Sequence, residues 1–109
     1  MIIKRVELFL QILFLQHLES MAERVDVKYS PKFLKSASRL PKKLVALADG
    51  KEALFKEAPF HPSLKTHALH GKDKGAWAFW INQKYRIKFT FINPKRVLFL
   101  DVGTHDIYE

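Results

Sequence analysis

The side chains equipped to pass protons near neutral pH, or to hold negative charge, crowd into the second half of this 109-residue sequence. His67 and His70 stand three apart in THALHG, Arg86 and Lys88 alternate with apolar residues in YRIKF, and GTHDIY holds His105 and Tyr108. Imidazole is the side chain that exchanges protons near cellular pH, while guanidinium and ammonium groups hold phosphate. Five histidines with no cysteine raise the question of a histidine metal site. His67 and His70, however, fall on opposite faces of an extended chain, so no metal is expected. The lack of cysteine excludes disulfides, thiolate catalysis and thiolate metal sites, and it suits a reducing cytoplasm. No glycine-rich phosphate loop, Ser/His/Asp arrangement or HExxH is present, and no cofactor is implied.

Charge points the same way. There are 19 Lys and Arg against 11 Asp and Glu, for a net charge of +8. Lys4 and Arg5 cancel against Glu7 and Glu19, so the whole excess lies after residue 20. Six basic residues and no acidic one run from Lys28 to Lys43; eight run from Lys65 to Arg96 with only Asp73 opposing. Clustered cations gain affinity for nucleic acid by releasing its counterions, so a polyanionic partner is expected.

The elements that must position these groups follow from apolar spacing. Residues 64–109 hold four short apolar or alternating runs, broken by turn signals at Gly71–Gly75, Asn82–Gln83 and Asn93–Pro94. They read as an antiparallel meander. In the clearest run Tyr85, Ile87, Phe89 and Phe91 share one face, and Arg86, Lys88 and Thr90 the other. Upstream, Val25–Tyr29 alternates as a first strand. Ser30-Pro31 supplies an N-cap and a first-turn proline for a helix over 31–39. Pro41 starts a second helix, carrying Gly50 at a cost of about 1 kcal/mol and ending before Pro59 or Pro62. The fold class is therefore α+β: an N-terminal strand, a two-helix hairpin, then an antiparallel sheet of three or four further strands.

Residues 1–20 are rich in Ile, Leu and Phe, but their longest charge-free stretch, Leu8–Leu18, is too short for a bilayer. No membrane role is expected. Lys4 and Arg5 imitate a signal peptide, yet no small-x-small cleavage site follows. Met21 offers an internal start. Residues 1–20 are accordingly read as an N-terminal extension, helical where ordered, and 21–109 as a single domain.

The order of elements, Leu40-Pro41, PFHPSLKTHALHG at 59–71, YRIKF at 85–89 and GTHDIY at 103–108 together resemble the RelE/ParE toxin superfamily. The resemblance covers roughly residues 25–109. It implies the toxin of a type II toxin–antitoxin pair, with a cognate antitoxin, the ribosome and mRNA as partners. Most RelE-like members cut messenger RNA in the ribosomal A site, which makes the expected function a metal-independent endoribonuclease that inhibits translation. ParE-like members share the fold and poison DNA gyrase instead. An inactive relative that only binds its antitoxin is the third reading.

Such RNA cleavage needs the 2′-hydroxyl deprotonated, the leaving 5′-oxygen protonated and the crowded charge stabilised. By resemblance His105 stands where YafQ-like toxins carry a catalytic histidine, and Arg86 matches an arginine of YoeB-like toxins that would hold the scissile phosphate. His67 aligns with a second catalytic-site histidine, with His70 beside it, and Tyr108 would stack on a base or donate a proton. His67 shares its face with Leu69, so an inward Leu69 on a regular strand would carry His67 inward too. Lys65, Lys72, Lys74, Lys84 and Lys88 are expected to form one RNA-binding surface with Arg86. Trp77 and Trp80 have opposite parity; one is core and the other meets RNA or the antitoxin, and Trp77 is placed with the RNA-binding set. One departure stands out: YafQ-like toxins carry an arginine four residues before the GTH histidine, and here that residue is Asp101, whose charge would repel phosphate.

Overall fold

Phe55 has no accessible surface, and the fold closes around it. Its ring stacks on Phe79 at 4.6 Å and meets Phe89 at 4.8 Å and Phe99 at 5.6 Å, both edge-on. One helical residue therefore touches three neighbouring strands, which ties the helical layer to the sheet. The structure is a computed structural model describing the backbone of residues 2–108 and the side chains of 5–15 and 24–108.

In chain order the elements are α1 (Ile2–Glu23), β1 (Asp26–Tyr29), α2 (Pro31–Ala37), α3 (Lys42–Glu57), β2 (His67–Ala68), β3 (Trp77–Trp80), β4 (Arg86–Asn93) and β5 (Arg96–Gly103). Short 3₁₀ turns occupy Pro62–Leu64, Gly71–Asp73 and His105–Tyr108. The α+β class read from the sequence is the class observed. β2 to β5 form the antiparallel meander, and β1 closes the sheet by pairing in parallel with β5, giving the order β1-β5-β4-β3-β2.

The sequence explains the boundaries. Ser30 caps α2, its hydroxyl accepting from the Phe33 amide at 3.0 Å and donating to the Leu100 carbonyl at 3.0 Å, with Pro31 in the first turn. One residue thus starts a helix and fastens it to β5. Pro41 is the N-cap of α3 and not its first residue. β1 begins at Asp26, one residue later than the alternation suggests, because the buried Val25 gives its amide to the Lys56 carbonyl at 2.8 Å. β2 is only two residues long. The chain enters it from Lys65, which is left-handed at φ 53°, and leaves it for the 71–73 turn.

α1 is helical as expected, and it runs through Met21 to Glu23 without a break. Val6, Leu8, Phe9, Leu10, Ile12, Leu13, Phe14 and Leu15 are all exposed along it. Met1 lies outside the described residues. No helix among the described residues is long and apolar enough to cross a membrane.

Candidate active site

The sheet's other face, away from α3, is set by strand alternation. β4 turns Ile87 and Phe89 into the core, so Arg86, Lys88 and Thr90 point outward, as the sequence predicts. β3 presents Ala78 and Trp80 on the same outer face, with Trp80 opposite Arg86 in register and Ala78 opposite Lys88. His67 pairs with Ala78 across β2 and β3 and is also outward.

This face is not uniformly basic. Leu69, Ala76, Ala78 and Leu100 form a small second apolar cluster on it, and the Tyr108 ring packs there. The alanines are small enough to let the ring lie against the sheet. Leu69 therefore packs on the outer face, and His67, sharing its parity, stays outside the main core.

The chain end is folded back to complete the site. After Gly103 a 3₁₀ turn begins, with the Ile107 amide bonded to the Thr104 carbonyl at 3.1 Å. It brings Tyr108 edge-on to both histidine rings, 5.0 Å from His105 and 6.4 Å from His67 between centroids. Burial raises the pKa of the Tyr108 phenol, and the Arg86 guanidinium pulls partly against it. Burial prevails, so the phenol is protonated at neutral pH. Its hydroxyl is buried without a hydrogen-bond partner of good geometry among the described residues. The polar group that acts on it is the Arg86 guanidinium.

His67 has a defined tautomer. Its Nδ1 lies 2.8 Å from the Lys65 carbonyl, which can only accept, so Nδ1 carries the proton. In the neutral ring Nε2 is then a free base. Arg86 stands nearby with its guanidinium 4.0 Å above the Trp80 ring and Nη1 donating to the Asn82 and Gln83 carbonyls at 3.0 and 2.6 Å. Lys65 Nζ lies 5.8 Å from the same Trp80 ring. The result is a proton acceptor, a proton donor and a fixed cation on one face.

Four of the five expected catalytic side chains thus converge: His67, His105, Tyr108 and Arg86. His70 does not join them; it is exposed, extended and of opposite parity to His67. The lysines divide. Lys88 is ion-paired with Asp73, and both are largely buried, so its charge is already spent. Lys72 and Lys74 flank that pair and line a shallow groove of about 350 Å³ with Thr90 and Leu100. Lys84 leans on Tyr85, 5.8 Å from its ring, and Tyr85 packs against the main core, so Lys84 leaves the Arg86 face. Trp77 requires a correction: it packs on Phe60 at 5.6 Å and Phe91 at 5.8 Å, on the helix-covered face. Trp80 is the tryptophan at the site. Its even number, shared with Arg86 across a hairpin centred on residue 83, is the signal that could have found it.

Asp101 is also placed differently from a free repelling charge. It is 9% exposed, accepts from the Val102 amide at 2.9 Å and lies 3.5 Å from Lys32 Nζ. Its charge is directed at α2 and compensated there. Among the described residues no group of three or more His, Cys, Asp or Glu could hold a metal ion.

No known sequence family matches this chain, nor does any curated protein. Its backbone superposes on YafQ from Escherichia coli BL21(DE3) with a TM-score of 0.64 at 19% identity, covering 77% of this chain and 97% of that one. This chain has the fold of the RelE/ParE toxins. A YoeB/ParE toxin from Agrobacterium tumefaciens gives a TM-score of 0.62 at 16% identity over 74% of this chain and 99% of its own. The E. coli DinJ–YafQ toxin–antitoxin complex gives 0.63 at 20% identity over 77% and 96%.

Proposed function

We propose that this chain is the toxin of a type II toxin–antitoxin pair and a metal-independent endoribonuclease that cuts mRNA on the ribosome, in the cytoplasm. The observation carrying the reading is the convergence of His67, His105, Tyr108 and Arg86 on one face. His67 Nε2 takes the proton of the 2′-hydroxyl, and the 2′-oxygen attacks the adjacent phosphorus. The P–O5′ bond breaks, leaving a 2′,3′-cyclic phosphate, and His105 as imidazolium donates the proton that the departing 5′-oxygen needs. Arg86 holds the phosphate oxygens, with the Tyr108 phenol packed beside the guanidinium. Lys65, Lys72 and Lys74 hold flanking phosphates, which positions RNA without reading its sequence. A cognate antitoxin is the expected partner in the resting state.

The test is cleavage of mRNA on programmed ribosomes beside inhibition of gyrase supercoiling. Ribosomal cleavage abolished by His105→Ala supports the reading. Gyrase inhibition that survives loss of both histidines would replace it with the gyrase poison, and neither activity would leave an antitoxin-binding relative.

A further inference from the structure

Arg86 is held by the hairpin between β3 and β4. The Asn82 side-chain Oδ1 accepts from the Lys84 amide at 2.9 Å and the Tyr85 amide at 2.7 Å. These two bonds cap the β3–β4 hairpin, an asparagine turn in which the side chain substitutes for a backbone acceptor. The Ile81 amide, bonded to the Tyr85 carbonyl at 3.0 Å, closes its base. With the turn so held, the carbonyls of Asn82 and Gln83 both point at one atom, Arg86 Nη1, at 3.0 and 2.6 Å. The Trp80 ring supports the guanidinium from below at 4.0 Å.

We propose that Asn82 is a positioning residue for the reaction, acting through Arg86. It shapes the hairpin whose two carbonyls occupy Nη1, so that the guanidinium is held between Trp80 and Tyr108 and its other N–H groups remain for a phosphate. A long arginine side chain otherwise loses much rotamer freedom on binding; here that loss is taken at folding. The inference rests on Arg86 as the phosphate-holding residue, but its structural half is testable without RNA.

The variants are Asn82→Ala, which deletes the acceptor, and Asn82→Asp, which keeps it and alters only Nδ2, a group with no hydrogen bond among the described residues. Assays are run at a salt concentration that screens the added charge. The first readout is ¹⁵N relaxation of the Arg86 Nε–H group, which reports its freedom directly. The second is the Tyr108 phenol followed by ¹³C NMR, because a displaced Arg86 no longer lowers its pKa. The third is single-turnover cleavage on ribosomes. In Asn82→Ala the Arg86 side chain becomes mobile, the Tyr108 titration moves upward, and cleavage falls about 10²-fold, as for a misplaced catalytic group. In Asn82→Asp all three return toward wild type. Should the alanine variant not fold, Asn82→Ser, whose hydroxyl is a weaker acceptor, is read the same way. A rigid Arg86 in the alanine variant, or a cleavage defect that aspartate does not repair, overturns the proposal. Wild-type protein that cuts no RNA defeats the functional reading, while the two NMR measurements still decide whether Asn82 fixes Arg86.

Discussion

Gly103 and Ile107 approach so closely that a Cβ added to Gly103 would stand 2.7 Å from Ile107 Cγ2. The missing side chain lets the 3₁₀ turn fold onto the end of β5, opposite Arg86 in register, and so places both His105 and Tyr108. Gly103→Ala must displace Ile107 and, with it, strain the turn. The expected cost is about 1–3 kcal/mol of stability, typical of overpacking, read from thermal or urea unfolding. Cleavage should fall further than the stability loss explains. Gly103→Ala combined with Ile107→Ala removes the clash and should recover part of the activity; no recovery would mean that contact does not set the turn.

Alkaline stability gives a second check. Burial and, after it, the hydrogen bond and charge of Glu52 push the Tyr29 phenol up to about 12 from 10.0. The hydroxyl donates to both Glu52 oxygens, at 2.7 and 2.9 Å. The folded state therefore keeps this proton after the unfolded chain has lost it. The contribution is complete below pH 10 and disappears as pH rises toward 12. Unfolding free energy should decline across that window. The decline should be shallower in Tyr29→Phe, with lysine deprotonation common to both proteins. Parallel curves would show that Tyr29 carries no share.

The parts of this fold legible in its sequence are those governed by local periodicity. Alternation in 85–91 assigns the side chains of Arg86 to Phe91 to their observed faces, and Ser30-Pro31 and the proline before α3 mark helix starts that the structure keeps. The candidate site was legible through the resemblance and not through periodicity: its motifs name His67, Arg86, His105 and Tyr108, and the fold brings these four together. What escaped depends on contacts between distant segments. The parallel pairing of β1 with β5 joins residues about seventy apart, with Val27 opposite Val97. The choice between Trp77 and Trp80 depended on which sheet face the helices cover. Lys88 reads as a free cation in the sequence, whereas Asp73, on a turn fifteen residues earlier, occupies it.

The two tryptophans should separate stability from function. Trp77 packs between Phe60 and Phe91, so Trp77→Ala should destabilise the domain by a few kcal/mol, somewhat less than the 3–5 of a fully buried aromatic. Trp80 is half-buried on the outer face, where it meets Lys65 and Arg86, so Trp80→Ala should destabilise the domain less than Trp77→Ala does. It should weaken single-stranded RNA binding by about 1–3 kcal/mol, the usual worth of one aromatic platform. Unfolding by urea and fluorescence-detected RNA binding, measured on both variants, give a two-by-two comparison. An RNA defect confined to Trp77→Ala would place the binding face on the wrong side of the sheet.

The last prediction divides the two histidines. His67 is fixed with its proton on Nδ1 by the Lys65 carbonyl, which suits a base; His105, exposed on the final turn, suits an acid. A general base works deprotonated and a general acid protonated, so a reaction that uses one of each has a bell-shaped pH–rate profile. His67→Ala should lower the plateau by about 10²–10⁴-fold and abolish the rising limb, while His105→Ala should lower it comparably and abolish the falling limb. Neither change should alter folding by more than about 0.5 kcal/mol, since both side chains are exposed. The measurement is the pH–rate profile of each folded variant on programmed ribosomes at saturating enzyme. Loss of the opposite limbs would exchange the two roles. A bell that persists in both variants would assign the proton transfers to other groups and leave Tyr108 as the first to examine.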